Sequence, residues 1–182
     1  HKIRHETEDM LHQSAMSIAE ARESLQYGFN MGMKAFEEGN QVIATGELGM
    51  GNTTAASAII AALLNKSAAE VVGRGSNISD KRLKHKVDVV NSSLERAGLK
   101  EKESPDPITV LSEVGALELG AMAGAMLSAG AMNKPVLLDG FLSYSAALLA
   151  NSIKPGVVNY MIPTHKSKEQ GSRIVLDALG LD

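Results

Sequence analysis

The sequence has no cysteine and no tryptophan, and aromatic side chains make up only 3% of its 182 residues. Without cysteine there is no disulfide, no thiolate zinc site and no thiol nucleophile, a composition that fits a reducing cytoplasm. So few aromatic faces leave little material for stacking nucleobases, as single-strand nucleic-acid modules do. Long apolar runs are also missing. The most apolar stretch, residues 119–132, is too short to span a bilayer, and Glu118 closes its front end. Nor is one sign of charge in excess: the net charge of −3 gives no global footprint for nucleic acid or an anionic membrane, so any phosphate site must be local. Residues 1–9 are charged, with no apolar centre, and do not read as a signal peptide. A start at His1 rather than Met reads as an excised or internally started piece.

What is present suits a soluble globular domain: 44% hydrophobic and 21% charged residues, in a chain long enough for a sizeable core. Seventeen glycines and many alanines point to close helix packing and backbone-lined sites. Residues 1–15 read as a polar arm without a clear period. Ser17 and Glu20 have capping-box spacing, and Ile18, Ala21, Leu25, Gly28, Gly32 and Phe36 recur at helical intervals behind them. Residues 41–45 read as a buried strand, residues 46–51 as a glycine turn and residues 55–64 as a helix. Ser79 or Asp80 caps a further helix, whose stripe of Leu83, Val87, Val90, Leu94 and Ala97 ends at Gly98. A short helix over 107–113 precedes a small-residue helix over 117–131. The Gly120, Gly124 and Ala129 of that helix serve either tight packing within the domain or a subunit interface. Strands over 135–139 and 157–162 and helices over 143–151 and 167–179 complete the pattern. This alternation predicts an α/β fold, three layers (α/β/α) around a mainly parallel, Rossmann-like sheet. The expected division is an arm over 1–15 and a nucleotide-binding α/β core over 16–182. Ligands of such sheets bind beyond the carboxyl ends of the strands, here residues 46–54, 139–143 and 163–167.

The strongest chemical signal is the strand–glycine loop–helix unit at 46–54. Glycines there let backbone N–H groups turn toward an anion at a helix N-terminus, and Thr53 and Thr54 add hydroxyl donors. The glycine spacing matches a Walker A loop, but Asn52 stands where the lysine belongs. A dinucleotide fingerprint starting at Gly49 also fails, because Thr54 replaces the third glycine. The loop is thus either a phosphate cradle or a structural turn. Glu47 would repel phosphate; it faces something cationic, such as a charged ring or an oxocarbenium-like sugar, or else it caps a helix or meets solvent. A second glycine turn over 72–77 offers Arg74 and backbone donors, or simply joins two helices. Lys86 sits about 100° around the helix from Val87; it either reaches inward or snorkels to solvent. His1, His5 and His12 could share a helical face but bring no further ligands, His85 reads as exposed, and His165 reads as structural. No metal site and no Ser-His-Asp set can be assembled from the spacing.

Residues 46–57, GELGMGNTTAAS, resemble the GEMGIGNTT pattern of the nicotinate-nucleotide:dimethylbenzimidazole phosphoribosyltransferases. VGRGSNISDKRLKHK (72–86), EVGALELGAMAGAML (113–127), DGFLSYSAALLA (139–150) and PTHKSKEQG (163–171) match further family segments in the same order. The resemblance implies phosphoribosyl transfer from nicotinate mononucleotide to 5,6-dimethylbenzimidazole. The products are α-ribazole 5′-phosphate, for the lower ligand of cobalamin, and nicotinate. It implies a homodimer acting on small molecules without metal or cofactor. By the same resemblance Glu47 is the catalytic-site carboxylate. Gly49, Gly51, Asn52, Thr53 and Thr54 line the phosphate region, Lys86 pairs with a phosphate or carboxylate, and Asp139, Gly140 and Thr164 close the pocket. The family's second glutamate, its proposed general base, lies on a segment beyond the match to residues 176–182. Part of the family's base pocket is N-terminal to the match. The resemblance therefore implies a fragment that is inactive or weakly active. The competing expectations are a phosphorylated-nucleotide binding module without chemistry and, more remotely, an unrelated nucleotide hydrolase.

Overall fold

A computed structural model describes residues 2–75, 78–100 and 102–182. Helix α1 (Ile18–Glu37) starts where the sequence places it. Ser17 is the N-cap, and its side chain and that of Glu20 satisfy each other's backbone N–H groups, an arrangement worth about 1 kcal/mol. Its buried face, Ala21, Ser24, Leu25, Gly28, Gly32 and Phe36, is the face given by the helical period. That face packs on the small-residue helix, which is the sixth in the chain (Leu117–Met132). A Cβ on Gly28 would overlap the carbonyl oxygen of Ala121, and one on Gly124 would overlap that of Leu25. Each helix presents a glycine to the other's backbone, and the stripe of small residues packs within the chain.

Strand β1 (Ile43–Thr45) leads through a loop into α2 (Asn52–Leu64), followed by α3 (Ala68–Val71), α4 (Asp80–Arg96), α5 (Pro107–Val114) and α6 (Leu117–Met132). Then come β2 (Val136–Leu138), α7 (Phe141–Ile153), a 3-10 turn (Val157–Tyr160), β3 (Met161–Pro163) and α8 (Gln170–Leu179). The strands lie parallel in the order β1-β2-β3, with Ile43 opposite Val136 and Leu138 opposite Pro163. The α/β class and the parallel sheet agree with the alternation in the sequence. Because the three neighbouring strands are parallel, the segments after them emerge side by side at one end of the sheet. Helices α2 and α7 are buried on nearly every side, as helices apolar all round must be. Around them Ile59, Ile60, Leu119, Met126, Val136, Leu138, Tyr144 and Leu149 form one continuous core.

Five local expectations need correction. Residues 157–160 form a 3-10 turn rather than strand: Gly156 takes a left-handed backbone, φ 93°, and Val157 packs on Gly130 of α6. The apolar run there reports burial, not strand pairing. Helix α2 begins three residues early, so Asn52, Thr53 and Thr54 belong to its first turn. Helix α8 begins three residues later than expected, at Gln170. The short α3 is additional; its Ser67–Glu70 capping box is the signal that marks it. Residues 2–15 contain no helix, so His5 and His12 share no helical face, and His1 lies outside the described residues. The arm is nevertheless docked. Glu8 N–H donates to the Ala15 carbonyl at 2.8 Å, Ala15 N–H to that of Glu113 at 3.2 Å, and Arg96 Nε to that of Met10 at 2.8 Å.

Candidate phosphate and nucleotide site

The glycine loop after β1 ends at Gly51, which is the N-cap of α2 with φ 84°, a conformation that favours glycine. The next residue, Asn52, is only 6% exposed. Its amide nitrogen donates to Glu47 Oε2 and, at 3.4 Å, to Glu118 Oε1, so one buried amide bridges two carboxylates. A Cβ on Gly49 would lie 2.7 Å from that nitrogen and 3.0 Å from Glu47 Oε2; glycine lets the loop close over the bridge. Burial pushes the Glu47 carboxyl upward and the nearby Glu118 adds to this, while the Asn52 hydrogen bond opposes both. Glu118, in the first turn of α6, marks the front of the apolar stretch in the sequence but is not among its candidate site residues. Its position ahead of a small-residue helix was the available signal.

Lys86 reaches inward. Its Nζ donates to Thr53 Oγ1 at 2.9 Å and to the Gly73 carbonyl at 3.1 Å. Burial lowers its pKa, opposed by the Glu169 carboxylate. An ammonium has three donors, so one beyond these two bonds remains for a ligand. Arg74 ties its own turn together, donating to the Ile78 carbonyl at 2.8 Å and pairing with Asp80. Ser76 and Asn77 of that turn lie outside the described residues.

Two cavities meet at the start of α2, and Gly51 and Thr54 line both. One, of about 450 Å³, is lined by Thr53, Arg74, Arg82, His85 and Lys86, with no carboxylate among its described lining residues. The other, of about 540 Å³, lies between the arm and the α5–α6 junction. Its lining includes Asn52 and Glu118 together with Glu6, Glu8 and Asp9, alongside Arg4 and His5. The arm, which has no clear period in the sequence, thus forms a wall of the second cavity.

Asp139, Gly140 and Thr164 sit at the ends of β2 and β3 and line neither cavity. Asp139 N–H donates to the Thr45 carbonyl at 3.3 Å, and Thr164 donates through both N–H and hydroxyl to that of Leu138 at 3.0 Å. A Cβ on Gly46 would come within 3.6 Å of Asp139 Oδ2, which places these strand ends beside the glycine loop. The buried Tyr144 hydroxyl joins the carbonyls of Asp139 and His165, and burial pushes its pKa up. Among the described residues no cluster of three or more His, Asp or Glu could hold a metal ion, and no helix is long and apolar enough to cross a membrane.

In this parallel α/β chain the helix N-terminus after the glycine loop opens on a cavity lined by Arg74, Arg82 and Lys86, an arrangement of the kind that suits an anion. Residues 1–182 match the family described as phosphoribosyltransferase, and the chain belongs to it. It is 42% identical over 181 residues to a nicotinate-nucleotide–dimethylbenzimidazole phosphoribosyltransferase of Chloroflexus aggregans, covering 99% of this chain and 50% of that protein. It is 41% identical over 168 residues to one from Geotalea uraniireducens, covering 92% of this chain and 47% of that one. The crystal structure of CobT from Thermus thermophilus superposes with a TM-score of 0.91 at 38% identity, over 97% of this chain and 52% of that one. The chain therefore spans about half the length of these relatives.

Proposed function

We propose that this chain binds nicotinate mononucleotide and forms the nucleotide-holding part of a phosphoribosyltransferase that passes phosphoribose to 5,6-dimethylbenzimidazole. The observation that carries this reading is the junction at Gly51 and Thr54 between a cationic and a largely acidic cavity. The phosphate takes the cationic side, held by Lys86, the hydroxyls of Thr53 and Thr54 and the first N–H groups of α2. The ribose then lies across the start of α2, with C1′ toward Glu47 and Glu118, and the attacking base occupies the acidic side.

The chemistry asks little else of the protein. A ring nitrogen of the base bonds to C1′ as the C1′–nicotinate bond breaks, and that electron pair returns to the pyridine nitrogen. Nicotinate needs no proton to leave. Carboxylates near C1′ favour the positive charge that develops there. The new benzimidazolium then gives up its N–H proton to a carboxylate; Glu118 lines the cavity where that proton appears. Asp139, Gly140 and Thr164 act as supports of the glycine loop, and Arg74 shapes the cationic side. A homodimer, implied by the family resemblance, is the proposed assembly, and sedimentation of the chain tests it.

Calorimetric titration of nicotinate mononucleotide into the folded chain is the test, followed by a coupled assay for α-ribazole 5′-phosphate. Binding that Lys86→Ala abolishes supports the reading. Binding without product marks the chain as a nucleotide-binding module. No binding by the folded chain overturns the reading.

A further inference from the structure

Glu169 stands at the N-cap of α8, outside the lining of the cationic cavity. Its Oε2 is buried with no hydrogen-bond partner among the described residues. It lies against Gly73, where a Cβ would overlap it, and Gly73 is the residue whose carbonyl receives Lys86. The start of α8 is fixed there: Gln170 Nε2 donates to the carbonyls of Ala69 and Glu70 at 2.8 and 3.0 Å, and Gly171 packs on the carbonyl of Val71. Burying a carboxylate oxygen without a donor costs free energy, so its retention at this point calls for a compensating role.

The surroundings of Lys86 supply one. Arg82 and His85 come from its own helix and Arg74 from the turn, and they share its cavity; the α2 residues that line it, Thr53 and Thr54, carry no charge. Burial favours a neutral lysine, which would hold an anion poorly. From outside that set, Glu169 acts on Lys86 as a negative group. Because it stands behind Gly73 rather than in the cavity, it does not repel the ligand there.

We propose that Glu169 is a positioning residue for the anion site: it packs behind the Gly73 turn and supplies the counter-charge that holds Lys86 as a cation facing Thr53. A side chain at Gly73 would displace the carboxylate from this place. The proposal rests on reading the cavity as a phosphate site.

The test is the affinity of the chain for nicotinate mononucleotide from about pH 7 to about pH 10, approaching the ordinary lysine value of roughly 10.4, for the parent, Glu169→Gln and Lys86→Ala. Glu169→Gln is expected to bind like the parent at the lower pH. Its alkaline loss of binding moves down by about one pH unit, which gives up to about a tenfold deficit between the two limbs. An affinity that falls equally at every pH means a merely structural role and overturns the proposal, as does no change at all. Parent-like binding by Lys86→Ala would show the anion site to be elsewhere and overturn both readings. If Lys86→Ala loses binding and Glu169→Gln shifts nothing, only the Glu169 assignment fails. Should Glu169→Gln not fold, Glu169→Asp replaces it: its charge, one methylene short, gives a smaller shift in the same direction, and no shift overturns the proposal.

Discussion

Lys86 Nζ donates to the Thr53 hydroxyl at 2.9 Å across 33 positions of sequence, so the middle of α4 and the first turn of α2 meet at one point. An ammonium held there by two protein oxygens is pre-oriented for an anion. Lys86→Met is expected to remove a charge-assisted bond worth about 1.5–3 kcal/mol, roughly a tenfold to hundredfold loss of affinity for nicotinate mononucleotide by calorimetry. The same residue sets a stability slope. Its folded pKa is lowered by burial, so its favourable share of stability is complete above the ordinary lysine value and is lost as pH falls through the lowered one. Urea midpoints of the parent should therefore rise toward alkaline pH, and Lys86→Met should flatten that rise.

Glu47 behaves in the opposite sense. Its folded pKa is raised, by burial first and by Glu118 second. Its contribution to stability is full below the ordinary carboxylate value and is lost as pH rises through the folded one. Above its folded pKa the ionised Glu47 is thus a local cost. Glu47→Gln should raise the urea midpoint at pH 7 and leave it little changed in acid, while lowering phosphoribosyl transfer by at least about tenfold if the carboxylate favours charge at C1′. A midpoint that falls at pH 7 would contradict the burial of this charge.

Arg96 holds the arm. Its Nη1 pairs with Glu113 Oε2 at 2.8 Å, Nη2 donates to the Glu113 carbonyl at 3.0 Å and Nε to that of Met10 at 2.8 Å. Arg96→Ala should release residues 2–10 and open the acidic cavity. Limited proteolysis would show faster cleavage there, and affinity for dimethylbenzimidazole should fall while that for nicotinate mononucleotide holds. Equal loss of both ligands would show that the arm supports the whole core.

The α1–α6 contact has no slack. Gly124→Ala puts a methyl into the Leu25 carbonyl, and overpacking of this kind costs about 1–3 kcal/mol. Thermal unfolding should shift to lower temperature, with ligand affinity unchanged well below the transition.

Much of the fold is legible in the residues themselves. Ser17 and Glu20 mark the start of α1, the stripe from Leu83 to Ala97 marks the buried face of α4, and Gly98 ends that helix in the left-handed conformation, φ 60°. These signals are local: a cap, a period and a backbone angle each depend on a few neighbouring residues. The errors lie where tertiary contact overrides them. Residues 157–160 look like strand because they are apolar, yet Val157 is buried against Gly130 and the chain turns.

For the site, the sequence alone determined the loop of residues 46–51, the helix that follows it, and a set of candidate groups that includes Glu47, Thr53, Thr54 and Lys86. Only the tertiary structure decided whether Lys86 points inward, that Asn52 joins Glu47 to a carboxylate 66 positions away, and that the arm walls a cavity. Those outcomes depend on groups distant in the chain that are brought together by packing of the whole core. Contacts of that kind leave no period or spacing in the sequence.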